Sequence, residues 1–239
     1  MQENSFSQNT GNTQKRSPLQ EANFYSQLGA EELQKKMFLL EKAEHKLTHD
    51  DLVNDIFNEN GFKIESEKKL NDYTERCKRE GKIGFFCVAF LDGNRFKAIN
   101  DTYGHDAGDD VIVAMGNALN KASRTNHEQI NTRDHRKNSN DIVSRCGGDE
   151  FLVMLMPDDS RIFTEEEAKD AYEKWLQRME KVLSEGVDIR HAGETVNIKP
   201  SLCSGAAFGN TDNKNDLKAL KKEADVSMLE RKKSMGPSR

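Results

Sequence analysis

The 239-residue sequence lacks any hydrophobic run of the roughly 18–20 residues that a membrane-spanning helix needs. Its first 18 residues also lack the apolar core of a secretory signal peptide. The four cysteines form no CxxC pair and do not cluster with histidines, which argues against a zinc site and a disulfide framework. A net charge of −5 disfavours a general nucleic-acid-binding protein, because such a protein needs a basic surface. We therefore expect a cytoplasmic protein with no membrane segment and no nucleic-acid partner.

The composition divides the chain into three segments. Residues 1–22 are rich in polar side chains and poor in large apolar ones, which predicts a disordered tail. Residues 23–48 contain an amphipathic helix, from about Leu28 to Leu47, because apolar residues recur at steps of three and four. This helix either packs on its own domain or forms a short dimerising coiled coil, although its pattern barely reaches the three to four heptads of a coiled coil. Residues 49–239 are long enough to form one domain with a buried core.

Helices interspersed with strands are predicted along this domain. A polar stretch at 124–140 contains one large apolar residue, Ile130, and is predicted to be an inserted surface loop. The predicted strands are 84–91, 141–145, 151–156 and one or two within 195–208; the predicted helices are 107–124, one that begins with a capping box at Thr164, and 215–233. The pattern indicates an α/β (α+β) sandwich in which helices cover a central sheet.

Two groups of acidic residues lie at predicted strand ends. Asp92 and Gly93 follow the apolar strand, and the run Gly147-Gly148-Asp149-Glu150 forms the turn of a predicted hairpin. Either group alone also fits an ordinary turn or helix cap. Together they would gather carboxylates that repel one another, and Mg²⁺ prefers one or two such carboxylates together with phosphate oxygens. The combination predicts metal-assisted phosphoryl or nucleotidyl transfer.

Two longer motifs resemble a known family. The stretch FKAINDTYGHDAGD at 96–109, followed by RCGGDEF at 145–151, closely resembles the signature of GGDEF diguanylate cyclases. The resemblance covers roughly residues 48–235. Weaker similarities to the family occur at 51–62 (DLVNDIFNENGF), at 201–207 (SLCSGAA) and at Ala224-Asp225.

By this resemblance, the domain is similar to the nucleotidyl-cyclase and polymerase palm, and it would condense two GTP molecules into cyclic di-GMP and two pyrophosphates. Asp149 and Glu150 are the expected catalytic residues, with Asp149 as the base for the 3′-hydroxyl. Mg²⁺ or Mn²⁺ would be held by Asp92, Asp149, Glu150 and the carbonyl of Gly93. The expected substrate-binding residues are Asn100, Asp109, His105, Phe96, Lys97, Gly147, Gly148 and Lys232.

The resemblance also suggests what some of these residues bind. Asn100 and Asp109 match positions at the guanine edge, where an aspartate accepts hydrogen bonds from N–H donors that adenine lacks. Phe96, Lys97 and Lys232 match positions that hold the phosphates. The resemblance leaves two roles open for the histidine at position 105: orienting its neighbours or contacting the ligand directly.

Each domain of this family binds one GTP, so two copies must face each other for each 3′-hydroxyl to attack the other α-phosphate. The resemblance therefore implies a homodimer, in which the helix at 28–47 would be a dimerising stalk. The RxxD motif of the family's product-inhibition site has Asn138 in place of arginine and retains Asp141. We therefore expect weak product inhibition or none.

Other departures from the family pattern keep an alternative open. Asn94 and Arg95 replace the usual second aspartate and its neighbour, and Gly236 stands where the final helix usually has an arginine. The opening motif is also eroded. A degenerate domain that binds GTP or cyclic di-GMP without turnover is the alternative function.

Overall fold

The computed structural model describes residues 29–124, 140–212 and 216–234. Its first helix, α1 (Ala30–Thr48), lies where the sequence predicts one. Contacts divide the chain into two compact units between Glu44 and His45, so α1 begins in the first unit and ends in the second. Met37, Phe38, Leu39 and Leu40 are each more than half exposed. Within the described ranges, no helix has the length and apolarity needed to cross a bilayer.

The second unit is built on a five-stranded mixed sheet with the strand order β1-β3-β4-β2-β7. All neighbouring strands pair antiparallel except β1 and β3, which are parallel. Strands β5 and β6 form a separate antiparallel hairpin. The strands are β1 (Phe57–Asn58), β2 (Phe85–Gly93), β3 (Ile142–Gly147), β4 (Glu150–Leu155), β5 (Val187–His191), β6 (Glu194–Ile198) and β7 (Leu202–Asn210).

Helices cover both faces of the sheet, which confirms the predicted sandwich. They are α2 (Glu59–Glu80), α3 (Phe96–Tyr103), α4 (His105–Arg124), α5 (Glu165–Leu183) and α6 (Leu217–Ser234). Helices α4 and α5 share one apolar core with Cys87, Ala89 and Leu91 of β2. Helices α2 and α6 share the other core with alternate residues of the same strand, such as Phe86 and Val88. Because successive side chains of a strand point to opposite faces, a strand buried on both faces becomes a continuous apolar run.

Four elements are absent from the prediction. Strand β1 has only two residues. Helix α2 was missed because its buried face includes Gly61 and Ser66 among Phe62 and Tyr73, which weakens the apolar periodicity. Helix α3 has eight residues, none of them buried, so its sequence resembles a polar turn. Strand β5 has one buried residue, Ile189. The tail at 1–22 and most of the loop at 124–140 lie outside the described residues, so those two predictions stay untested.

Helix α6 lies unusually close to β7. A Cβ atom on Gly205 would come within 3.0 Å of the Met228 nitrogen and the Ala224 oxygen, closer than real Cβ atoms are found. Only glycine therefore allows the helix backbone to approach the strand this closely. Leu220, Ala224 and Met228 are buried at this contact. Their spacing of four residues continues to Lys232 in the last turn, so this packing also determines where that side chain lies.

We expect Gly205→Ala to destabilise the domain, because the new methyl group meets backbone atoms that can move only with the whole helix. Overpacking of this kind costs about 1–3 kcal/mol, which lowers the melting temperature by roughly 3–10 °C for a domain of this size. Thermal unfolding followed by circular dichroism measures the effect. Gly29→Ala is the control, since a Cβ there meets no atom within 4 Å. Equal melting temperatures for wild type and Gly205→Ala would show that the close approach is not a constraint.

Candidate active site

Three carboxylates converge where β2 ends and β4 begins. The antiparallel register places Asp92 directly opposite Glu150. The backbone nitrogen of Gly93 donates a hydrogen bond of 3.1 Å to the carbonyl oxygen of Asp149. A Cβ atom on Gly93 would lie 2.7 Å from Asp149 Oδ2, so the absence of a side chain leaves room for this carboxylate. Strand pairing thus brings together the residues that the sequence predicts for a metal site.

The turn between β3 and β4 depends on its two glycines. Gly147 and Gly148 have φ angles of 149° and 52°, in the region that residues with a side chain rarely adopt. The register of the hairpin shifts between Arg145 and Gly147. Both glycines are exposed, so the backbone of the turn is open to a ligand.

The acidic cluster carries more negative charge than its surroundings neutralise. Desolvation by burial raises the pKa of the Asp149 carboxyl, and the neighbouring Asp92 raises it further. The pKa of Glu150 is raised by desolvation, then by Asp92 and Asp149. The ammonium of Lys232 forms an ion pair with Asp92. Neither Asp149 nor Glu150 has an ion-pair partner among the residues that the structure describes.

The donor set of this cluster fits a hard divalent cation that arrives with a phosphate ligand. It consists of oxygen atoms only, namely those of three carboxylates and the Gly93 carbonyl, which Mg²⁺ and Mn²⁺ prefer. Over the described residues, no three acidic, histidine or cysteine side chains are grouped closely enough to hold a metal by themselves. Mg²⁺ commonly binds through one or two carboxylates and completes its shell with substrate phosphates and water.

The residues expected to contact guanine lie on α3 and α4. Asn100 Oδ1 is buried against Gly108, where no Cβ could fit beside it. Of the described side chains, only Asn100 Oδ1 and Arg76 Nε are buried polar atoms without a hydrogen-bond partner. An unsatisfied buried acceptor costs about 1–3 kcal/mol, so it calls for an explanation such as an absent ligand. Asp109 follows Gly108 and is exposed.

The other predicted contacts lie around α3. Phe96 begins this helix and is packed partly against the α4–α5 side of the core. Lys97 and His105 are both exposed, and His105 is the first residue of α4. The structure therefore brings the predicted residues of β2, α3, α4 and the hairpin to one end of the sheet.

Two hydrogen bonds hold Asn94 against Ser201. Its backbone nitrogen donates to the Ser201 carbonyl at 2.9 Å, and its side-chain nitrogen donates to Ser201 Oγ at 3.0 Å. Arg95 has a φ angle of 57° and precedes the first turn of α3 without a side-chain cap. These contacts connect the end of β2 to the segment before β7.

An ion pair that the sequence analysis missed supports the glycine turn. Arg145 donates from Nε to the Gly148 carbonyl at 2.8 Å, and its NH1 atom lies 3.3 Å from Asp50 Oδ2. Asp50 also accepts hydrogen bonds from the backbone nitrogens of Leu52 and Val53. The weak family similarity at 51–62 begins at Asp51 and not at Asp50, and Asp51 is exposed. The pair joins positions 95 residues apart, so no local pattern predicts it.

A cavity of about 1240 Å³ lies beside the hairpin, between α2 and α6. Its lining includes Gly147 and Glu150 but neither Asp92 nor Asp149. The chemistry of the carboxylate cluster, rather than the size of this cavity, therefore identifies the candidate site.

The predicted loss of product inhibition stays a prediction. Asn138 lies outside the described residues. Asp141 Oδ1 accepts a hydrogen bond of 3.1 Å from the backbone nitrogen of Met156.

We expect Asp149→Asn to stabilise the metal-free domain at neutral pH. Folding raises the pKa of the Asp149 carboxyl above its ordinary value of 3.8. Below pH 3.8 this carboxyl contributes to the stability of the folded state, and that contribution is lost as the pH rises through the folded pKa. The neutral amide of asparagine removes the cost of holding an ionised carboxylate at this position in the folded protein. The melting temperature in EDTA at pH 7.5 should therefore rise by about 1–3 °C. The difference from wild type should shrink as the pH is lowered towards 4. Asp101→Asn, at an exposed position of α3, is the control; a lower melting temperature for Asp149→Asn would contradict the charge argument.

Comparison with known proteins places this site in a family. The model of the family described as "Diguanylate cyclase, GGDEF domain" matches residues 48–237. The probable diguanylate cyclase DgcT of Escherichia coli is 29% identical over 141 residues, which cover 59% of this chain and 25% of DgcT. The diguanylate cyclase TpbB of Pseudomonas aeruginosa is 33% identical over 113 residues, 47% of this chain and 21% of TpbB. The chain thus spans about a quarter or less of these relatives.

Solved structures share the fold. The GGDEF domain of TpbB (YfiN) from Pseudomonas aeruginosa has a TM-score of 0.56 at 29% identity, covering 78% of this chain and 89% of that one. The coiled coil and GGDEF domain of DgcB from Caulobacter crescentus, in complex with c-di-GMP, has a TM-score of 0.59 at 18% identity, covering 90% and 94%. From the match over residues 48–237 and the site at the ends of β2 and β4, the chain belongs to the GGDEF diguanylate cyclase family.

Proposed function

We propose that this domain is an active diguanylate cyclase that condenses two GTP molecules into cyclic di-GMP and two pyrophosphates. The observation that carries the proposal is the convergence of Asp92, Asp149 and Glu150 at the paired ends of β2 and β4. Family membership over residues 48–237 supplies the substrate class.

Asp149 is the base in the proposed reaction. It accepts the proton of a 3′-hydroxyl while the 3′-oxygen forms a bond to the α-phosphorus of the other GTP. The bond from that phosphorus to the bridging oxygen breaks, and pyrophosphate leaves. Burial and the neighbouring Asp92 raise the pKa of this carboxyl in the protein without metal.

The residues around Asp149 hold the metal and the phosphates in this proposal. Asp92, Asp149, Glu150 and the Gly93 carbonyl would hold Mg²⁺ or Mn²⁺, which neutralises charge on the transferring phosphoryl group when bound. The remaining contacts come from the glycine turn and three further positions: Gly147, Gly148, Phe96, Lys97 and Lys232.

Asn100 and Asp109 bind the guanine base in this proposal. Asn100 Oδ1 has no partner among the described residues, and after a rotation of the amide away from Gly108 it would accept from a guanine N–H group. The Asp109 carboxylate is exposed and follows Gly108, which contacts Asn100. It accepts hydrogen bonds from further N–H groups on the same edge of guanine. His105, at the start of α4, orients this pair in the proposed site.

The proposed active form is a homodimer. Each domain holds one GTP, so a second domain is needed to supply the other reactant. The exposed apolar residues of α1, including Phe38 and Leu40, support a role for this helix as the dimerising stalk.

A degenerate domain that binds GTP or cyclic di-GMP without turnover is the second candidate. The eroded opening motif favours it, since its first position, Asp51, makes none of the contacts that Asp50 makes.

Incubation of the purified protein with GTP and Mg²⁺, followed by chromatography of the products, tests the two candidates. We expect a cyclic di-GMP peak for wild type and for Asp101→Asn, and a loss of at least about 100-fold for Asp149→Asn, because the base is removed. GTP binding without product at high protein concentration would refute the cyclase and favour the sensor. Undiminished activity of Asp149→Asn would remove Asp149 from the mechanism.

We expect Asp109→Ala to reduce discrimination between GTP and ATP by about tenfold or more, because a carboxylate that accepts from guanine N–H groups is lost. Competition between the two nucleotides, measured by equilibrium binding to the protein, gives the ratio. Asp110→Ala is a matched control, since Asp110 is also an exposed acid of α4. Unchanged selectivity in Asp109→Ala would exclude this residue from the guanine site.

A further inference from the structure

The ion pair between Lys232 and Asp92 joins two residues with different expected ligands. Asp92 belongs to the carboxylate cluster, and Lys232 is expected to bind phosphate. In the structure, the Lys232 ammonium lies on Asp92 Oδ1. The pair connects residues 140 positions apart, at the end of β2 and in the last turn of α6.

The packing of α6 holds the ammonium at this position. The helix is fixed on β7 through Gly205, and Met228 and Ala224 are buried one and two turns before Lys232. The turn before it is also held by a hydrogen bond from Cys203 Sγ to the Met228 carbonyl, at 3.7 Å. Lys232 therefore reaches the cluster from a rigid helix through a flexible side chain.

The side chain is nevertheless free to change partners. Its exposed fraction is 31%, against 22% for Asp92, so the pair is neither deeply buried nor locked. A lysine ammonium is a compact charge with three rotatable donors on a four-carbon stem, and it can turn from a carboxylate to a phosphate oxygen.

We propose that Lys232 is the resident counter-ion of Asp92 in the nucleotide-free protein, and that it moves to a phosphate oxygen when nucleotide binds. This inference rests on the proposed function, because it takes the cluster as a metal and nucleotide site. The ammonium occupies an oxygen of Asp92 and repels a divalent cation placed beside it. The triphosphate attracts the ammonium away and leaves Asp92 available.

The exchange couples the two ligands. Metal alone binds weakly because it must displace Lys232, whereas metal binds well once phosphate has taken the ammonium. Binding is reciprocal, so the metal strengthens nucleotide binding by the same factor. Lys232 thereby partly neutralises the acidic cluster until substrate arrives.

Mn²⁺ binding measured by electron paramagnetic resonance tests this proposal without relying on turnover. The protein is titrated with Mn²⁺ alone, then with Mn²⁺ and a non-hydrolysable GTP analogue. The test variant is Lys232→Met, which keeps the length of the side chain and removes its charge. Lys233→Met is the matched control, because it removes an exposed lysine of the same turn and corrects for the change in net charge.

Without nucleotide, we expect Lys232→Met to bind Mn²⁺ about three- to tenfold more tightly than wild type, and Lys233→Met to stay within about twofold. The enhancement of Mn²⁺ affinity by the analogue should be smaller in Lys232→Met than in wild type. Thermal unfolding confirms that both variants are folded.

Two results would overturn the proposal in distinguishable ways. If Lys232→Met binds Mn²⁺ no more tightly than Lys233→Met, while wild type binds Mn²⁺ with the analogue, then Lys232 is not a competing counter-ion and the proposed function stands. If wild type binds no Mn²⁺ even with the analogue, the metal site fails, and the proposed function fails with it.

Discussion

Repulsion among the carboxylates at the ends of β2 and β4 is the constraint on which the site depends. The antiparallel ladder holds the two backbones about 5 Å apart and places Asp92 opposite Glu150. The hydrogen bond from Gly93 to the Asp149 carbonyl then fixes the third acid beside them. These charges cannot separate without breaking strand pairing. The fold keeps them together, and the raised pKa values of Asp149 and Glu150 express that repulsion together with the desolvation of both groups.

The surrounding core supplies the rigidity that such a cluster requires. Strand β2 is buried on both faces, between α4 and α5 on one side and α2 and α6 on the other. The close approach of α6 to β7 at Gly205 belongs to the same packing, and it delivers Lys232 to Asp92. A single arrangement of helices therefore stabilises the sheet and provides the cation that partly neutralises its acidic end.

The sequence predicts those parts of the molecule that depend on local patterns. The apolar run at 84–91, the glycine turn and the capping box at Thr164 are each visible within a few residues, and each occurs in the structure. Helix α2 was not predicted because Gly61 and Ser66 interrupt its apolar face. The neighbourhood of Asn100 and Asp109 came from the family resemblance and not from periodicity, since α3 buries none of its residues.

Contacts between distant positions were beyond prediction for a different reason. The pairs Arg145–Asp50 and Lys232–Asp92 join residues that are 95 and 140 positions apart. Their formation depends on the order of strands in the sheet and on the seating of α6, which no local pattern specifies. The first pair holds Arg145 against the glycine turn, and the second holds Lys232 against the acidic cluster. The acidic residues of the site are thus predictable from the sequence. The positions of the cations that pair with acids around the site depend on the topology, so the charge balance of the site is a property of the complete fold.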